Sequence, residues 1–443
     1  MPIPSLTGIE TALSGLEAEQ AAIDTTGNNI DNASTPGYTQ EVVNLDQSLP
    51  QQISAESPQG DGFTQLGTGV DVNSITRVRN QFLDVQYRAQ NTVANGASTT
   101  ATQLGDAQSA LGESGSTTGI SGQLSQFWSD WNTVADNPSS LAAQTTLVSD
   151  ATTLTTSINS LNSQLCTIQS NATSQFNSLT GTGGQLENDA NQIATLNGAI
   201  SQQVAEGQDP NDLEDQRDSV LDDLSSLGQI SVTDPGNGQL TVNFGDAANP
   251  LVSGTTVNWP QTITSATGGQ LGALLTTASS TGPVGTYETS LNTVAADLAS
   301  SVNGLSTTTP FFKASTGSTV TAANIEVATS AGSVETSSTA TPGGNDVATA
   351  IANLQGGTAD QAYGALVALV GSNVQAAQTS ATNSQAIATA TNTQRESISG
   401  VSLDQEMTNL ITYQRGYEAS ARSLSTLDDV LNTLISEVGQ AGM

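Results

Sequence analysis

The chain has 443 residues and sets 8 Lys and Arg against 41 Asp and Glu, a formal net charge of −33, yet only 11% of its side chains are charged. Without a basic stripe it offers nothing to the phosphates of nucleic acid or to an anionic membrane surface, and no stretch approaches the ~20 apolar residues of a membrane span. It has no histidine, so the usual general base, zinc ligand and pH switch are missing, and the single Cys166 allows no internal disulfide.

In chain order, the first element is a helix. From Leu6 the apolar register runs Leu6, Ile9, Leu13, Leu16, Gln20, Ile23, Gly27, Ile30. Its steps alternate three and four, the mark of an a/d seam. Pro4-Ser5 provides the start, and residues 5–30 would extend roughly 39 Å at 1.5 Å per residue. Lacking charge pairs, such a helix is marginal alone in water and needs a partner. The run Asn32-Ala33-Ser34-Thr35-Pro36-Gly37 ends it in a turn. Tyr38–Leu45 and Val70–Val78 then read as short strands joined through the Gly60–Gly69 stretch. No basic residue precedes Arg77, and no apolar core follows such a residue, so no cleavable secretion signal is expected.

Residues 79–227 read as helices, with three-four spacing through Leu141, Leu147, Leu154, Ile158, Leu161, Leu165 and Ile168. Cys166 in that run is expected to be a small buried helix residue. Trp128 and Trp131, three apart, are expected to pack a helix bundle. The acidic run Asp209, Asp212, Glu214, Asp215, Asp218, Asp222, Asp223 lacks the Gly and bidentate Glu of a calcium loop. It is expected to be a solvated helix face, with Asp212 as a cap and Arg217 as an ion-pair partner. From Gln229 the pattern changes to alternation: Ile230 and Val232, then Leu240, Val242 and Phe244, flank Asp234-Pro235-Gly236-Asn237-Gly238 as a hairpin. Leu251, Val252 and Val257 suggest a further strand pair. Residues 270–305 return to helix, 308–345 read as strands and loops, and 346–399 are helical again.

The last element is a second seam. Leu403, Leu410, Tyr417, Leu424, Leu431 and Val438 recur every seven residues, and Met407, Tyr413, Leu427 and Leu434 fill most of the second seam position. A strict heptad over this length implies a supercoiled pair, and the seam at the other end of the chain is the expected partner. Ser402 with Gln405 suggests a capping box. The expected fold is therefore mainly α with a β-rich insertion: paired N- and C-terminal coiled-coil helices, a helical-bundle middle and a small outer β domain. Its expected parts are 1–80, an axial helix and extended arm; 81–228, 266–307 and 346–400, a helical domain in three passes; 229–265 and 308–345, outer β segments; and 401–443, the second axial helix.

Both ends carry a resemblance. Asn28-Asn29-Ile30-Asp31-Asn32-Ala33-Ser34-Thr35-Pro36-Gly37-Tyr38 resembles the N-terminal signature of flagellar rod, hook and hook-associated proteins, with Gly27 where Ser or Ala usually stands. Tyr413-Gln414-Arg415-Gly416-Tyr417-Glu418-Ala419-Ser420-Ala421-Arg422 resembles their shared C-terminal signature. Val401–Glu406, Leu213 with Asp215-Gln216-Arg217-Asp218, and Gly268–Leu275 resemble the hook-associated protein 1 family in particular. Gln144 departs from that family's usual Arg, and the stretch after Phe312 is short, as if a large outer domain were missing.

The resemblance implies a non-enzymatic, cofactor-free subunit of the bacterial flagellum, an adaptor at the hook–filament junction, outside the cell and exported without a cleavable signal. It implies head-to-tail assembly into a tube with copies of itself, contacts with hook protein and a second hook-associated protein, and an export chaperone. The assembly residues expected from the two signatures are Asn28, Asn29, Ile30, Asn32, Pro36, Gly37 and Tyr38, with Tyr413, Gln414, Arg415, Tyr417 and Arg422. The chaperone is expected on Leu424, Leu427, Leu431 and Leu434. Two other readings stand beside this one. Another axial protein, hook or distal rod, would lack the Asp-Gln-Arg-Asp helix and the long helical middle. A secreted acidic adhesin or surface-layer protein would suit the composition but leaves seams at both termini unexplained.

Overall fold

The computed structural model describes residues 4–55, 62–113, 119–245, 249–264, 267–339 and 341–440. The chain closes on itself through its two ends. Helix α1 (Pro4–Asn32) and helix α11 (Leu403–Gln440) pack side by side. They run antiparallel: a β-carbon added to Gly8 would lie 3.4 Å from Leu427, and one added to Gly15 would lie 3.3 Å from the Ser420 hydroxyl. The expected mutual pairing is present, but its face on α1 is not the expected one. The inner face of α1 is made of small residues, Gly8, Ala12, Gly15, Ala18 and Ala22, and its three alanines are buried. Small side chains set the distance between helix axes, so this stripe lets the two backbones approach. Leu13 of the expected seam stays exposed, and Leu16, Ile23 and Ile30 are half-buried on the flank.

On α11 the seam holds over Leu410, Tyr413, Tyr417, Leu424, Leu427 and Leu431, all half-buried. Leu403, Met407 and Leu434 are exposed. The side chains of Leu6 and Val438 and the Gly60 end of the Gly60–Gly69 stretch lie outside the described residues. The expected capping box is absent from α11, because Gln405 turns forward and donates to Asn409 Oδ1 at 3.0 Å.

Strands β1 (Glu41–Gln47) and β4 (Val70–Arg77) pair antiparallel along α1, with Glu41 opposite Arg77 and an irregularity at Asn44/Leu45. Between them β2 (Gln51–Ala55) and β3 (Gly62–Leu66) form a hairpin where the sequence suggests only a connection. Gln51-Gln52-Ile53-Ser54-Ala55 has too little contrast between alternate positions to announce a strand.

The helical body comprises α2 (Gln81–Leu111), α3 (Ile120–Asp136), α4 (Leu141–Thr180), α5 (Gln185–Ala205) and α6 (Asn211–Leu227), then α7 (Gly269–Ala278), α8 (Pro283–Asn303), α9 (Asp346–Ala352) and α10 (Thr358–Ser399). One core joins α3, α4, α8, α9 and α10 around Phe127, Trp128 and Trp131; Phe127 meets Phe311 and Phe312 at ring separations of 5.9 and 5.6 Å, and Trp131 meets Phe311 at 5.2 Å. The tryptophans thus pack the bundle as expected, and Trp128 Nε1 donates to Asp360 at 2.9 Å. Cys166 lies on α4 but is only half-buried, because it sits one position off the Leu161–Leu165–Ile168 face. Low hydrophobicity does not stop α10 from having an inner face, since Ala377, Ser384, Ala388 and Thr391 are its buried positions beside α2.

A second core lies under the four-stranded sheet formed by β5 (Ile230–Thr233), β6 (Thr241–Phe244), β7 (Val252–Ser253) and β8 (Thr256–Val257), in sequential order. Val242, Phe244 and Val252 close onto Leu186, Ile193, Leu221 and Leu224 of α5 and α6. The other expected β segment supplies a separate short pair, β9 (Phe312–Ala314) and β10 (Ile325–Val327), laid on α4. Gln144 joins this part to the start of α4: it donates to Pro138 O at 2.7 Å and accepts from Gly332 N–H at 2.8 Å.

Candidate assembly surface

The Asn28–Tyr38 turn is organised by one buried amide. Asn29 is 1% exposed. Its Oδ1 accepts from the Tyr38 hydroxyl and from Glu41 N–H, both at 2.9 Å, and its Nδ2 donates to Glu41 O at 2.9 Å. All of this capacity is spent inside the chain, fixing the end of α1 to β1. Asn32 Nδ2 donates back to Asn28 Oδ1 at 2.8 Å, and Gly37 turns at φ +83°, a conformation that favours glycine. Burial, with Glu41 and Asp212 nearby, pushes the Tyr38 phenol well above its ordinary range. Asn28, Asn32, Pro36, Gly37 and Tyr38 form one wall of a groove of about 1100 Å³ whose other wall is α5 and α6. Ile30 is half-buried on α1.

Behind the turn the acidic helix gathers the arginines. Asp215 accepts from Thr39 N–H at 2.8 Å and from the Thr39 hydroxyl at 2.7 Å, and it pairs with Arg77 at 2.6 Å. Glu214 also holds Arg77, at 2.6 Å. Asp218 meets Arg77 at 3.1 Å, Arg79 at 2.5 Å and Arg88 at 3.0 Å. Asp222 takes Arg88 at 2.7 Å and Arg395 at 2.6 Å, and the Arg395 guanidinium stacks 4.1 Å over Tyr87. Burial pushes the Asp218 carboxyl up, but Arg79, Arg88 and Arg77 outweigh it and hold the group below the ordinary range.

The expected solvated face is therefore corrected: Asp218 and Asp222 keep only 15% and 17% of their side-chain exposure, because four arginines from elsewhere in the chain cover them. Asp212 is not the cap either; the N-cap position belongs to Pro210. Arg217 points the other way, donating to Asn197 Oδ1 at 3.1 Å and Gly238 O at 2.8 Å, with Glu214 at 3.7 Å. The network ties β4, α2, α6 and α10 into one block behind the axial pair. A signal for it did exist: Glu214, Asp215, Asp218 and Asp222 recur at helical spacing in a chain with only 8 basic residues.

On α11, Tyr413 and Tyr417 are half-buried toward α1, while Gln414, Arg415 and Arg422 are exposed. Arg422 reaches Glu418 at 3.4 Å, one turn back, and Lys313 pairs with Glu326 at 3.0 Å. Among the described residues Arg415 alone of the basic side chains has no carboxylate within 4.0 Å. Leu424, Leu427 and Leu431 face α1, and Leu434 is exposed. Among the described residues no cluster of His, Cys, Asp and Glu has the form of a metal site, and no helix is long and apolar enough to cross a membrane.

Comparison with known proteins places relatives along the whole chain. The model for the flagellar hook-associated protein FlgK helical domain matches residues 104–266. That for the flagella basal body rod protein matches 9–39, on α1 and its turn, and that for the C-terminal part of the flagellar basal body rod FlgEFG protein matches 392–437, on α10 and α11. Flagellar hook-associated protein 1 of Bacillus subtilis is 28% identical over 98% of this chain and 99% of its own length. The protein of the same name from Salmonella typhimurium is 30% identical over 56% of this chain and 43% of its own. The chain thus spans nearly all of the Bacillus relative and less than half of the Salmonella one. The solved structure of the flagellar hook junction protein FlgK from Burkholderia pseudomallei aligns with a TM-score of 0.43 and 25% identity, over 53% of this chain and 45% of that one.

Proposed function

The chain belongs to the flagellar hook-associated protein 1 family, and from that premise we propose that it is a structural adaptor seated at the junction of hook and filament. The observation that carries this reading is the match over nearly the full length of both chains with the Bacillus protein of that name. Rod-type matches at both termini alone would suit a hook or distal-rod protein equally. The match over residues 104–266, which covers the helical middle, separates the junction family from those. An acidic adhesin accounts for none of the three.

The structure supports a division of labour. The arginine network and two cores make a stiff block, and the axial pair projects helix faces that the chain itself does not cover. In this proposal the subunits stack head to tail, with hook protein below and a second hook-associated protein above, and both signatures contribute to those contacts. Asn29 contributes indirectly, by fixing the turn; Asn28, Asn32, Pro36, Gly37 and Tyr38 present the groove wall, and Gln414, Arg415 and Arg422 present the outer face of α11. The protein acts outside the cell after export, and an export chaperone takes the Leu424–Leu434 segment of α11 beforehand. Deleting the gene tests the reading. The expected cells carry hooks without filaments and shed filament protein into the medium; cells that keep attached filaments would refute it.

A further inference from the structure

The axial helices spend their inner faces on each other, which leaves two outer faces. On α1 the outer face carries Glu10, Glu17, Asp24 and Asp31, all exposed and each seven residues after the last. Among the described residues none of the four enters an ion pair, and Asp24 accepts a hydrogen bond from Gln20 at 2.9 Å. On α11 the outer face carries Arg415 and Arg422, also seven apart and exposed, beside the exposed Met407 and Ile411. Seven residues rise about 10.5 Å on any α-helix. Two arginines therefore match two consecutive acids of the row, whichever way the helices run.

The two rows cannot meet within one chain. They point away from each other across the thickness of two helices, roughly 20 Å. Nor are the arginines satisfied at home: Arg415 has no carboxylate partner, and Arg422 has only Glu418, at 3.4 Å between side chains 82% and 65% exposed. An acidic row alone would be a solvated face. Here the same molecule carries a cationic row of equal pitch, and in a chain of net charge −33 these are its only basic side chains not committed deeper in the fold or to Lys313–Glu326. Copies of so acidic a chain repel one another, so seating cations on carboxylates fixes where they can touch.

We propose that the outer face of α11 docks on the outer face of α1 of a second copy, with Arg415 and Arg422 on consecutive acids of the Glu10–Asp31 row. The contact joins unlike faces, so each copy offers both halves and the array continues, as a head-to-tail assembly requires. The inference rests on the reading of this chain as a self-assembling junction subunit and names the contact between its copies.

A deletion strain supplied with full-length variants tests it. The pair R415E/R422E is expected to be secreted like the parent but to lower the number of attached filaments by about tenfold or more, since like charges then face each other. Normal attachment in that variant overturns the docking. A second arm does not depend on tolerance of charge reversal. In a Cys166→Ser background, Arg415→Cys is combined with Glu10→Cys, Glu17→Cys, Asp24→Cys or Asp31→Cys, and flagella are treated with a short bismaleimide. A cross-linked ladder is expected from one of the four pairs; monomer from all four overturns the docking. Filaments that persist in the deletion strain itself would instead remove the functional reading beneath it, so the two failures are distinguishable.

Discussion

Asp218 has three guanidiniums within 3.1 Å and little water, so its charge is not replaceable by solvent. Removing one partner of a buried ionic cluster costs more than the cluster contributes, because the others remain buried and uncompensated. Asp218→Ala is expected to lower unfolding stability by about 3–5 kcal/mol, read as a lower urea midpoint of the purified protein; a change within the error of the midpoint would show that the network is slack. The depressed folded value also fixes a sign. Asp218 contributes in full above the ordinary Asp value of about 4, and its contribution is lost as pH falls through the lower folded value.

Asp130 and Asp189 run the other way. Burial pushes each carboxyl up to about 6, reinforced by Asp150 for the first and Asp223 for the second. The folded state then takes up protons before the unfolded chain does, so stability rises as pH falls from 7 toward 5. The melting temperature is expected to peak near pH 5 and to fall below pH 4, and Asp130→Asn with Asp189→Asn should flatten the rise. A parent protein whose melting temperature only declines from pH 7 downward contradicts this. None of these partnerships was legible in the sequence. The helical spacing of Glu214, Asp215, Asp218 and Asp222 shows that they share a side of α6, but which arginines arrive there is settled by β4, α2 and α10.

At the scale of elements, most of the layout was legible, and the axial pair shows why the rest was not. Hydrophobic periodicity marks a face that needs cover without saying what covers it. On α1 the Leu and Ile positions made the visible seam, yet the inner face is the Gly8–Ala22 stripe, which a hydrophobicity pattern scarcely registers. Close packing between backbones leaves that stripe no room. Gly15→Leu is expected to push α11 away, since even a β-carbon there meets the Ser420 hydroxyl at 3.3 Å. Lone helices of this kind are marginal in water. Amide exchange in α1 and α11 should therefore accelerate together in the variant, while α4 and α8, buried in the bundle, keep their protection. Unchanged protection in both axial helices would mean that the stripe does not govern their pairing. The β2–β3 hairpin is the converse case, a real element whose side chains carry no periodic signal.

For the whole molecule, the proposed chaperone site and the folded pairing make rival claims on one surface. Leu424, Leu427 and Leu431 are half-buried against α1, and Gly8 lies at Leu427. A chaperone that grips those leucines must take them before α1 does, and α1 must displace it afterward. Binding is then weakened by the fraction of chains in which α11 is already paired. Two truncations separate the consequences. Removing residues 403–443 should abolish binding. Removing residues 1–32 should strengthen it, because the apolar face of α11 no longer has an intramolecular competitor. Calorimetric titration of purified chaperone into each form reads both effects, with the parent between them. A chaperone that binds the parent and the 1–32 truncation equally would have to grip another face of α11, such as that of Val430, which α1 leaves exposed.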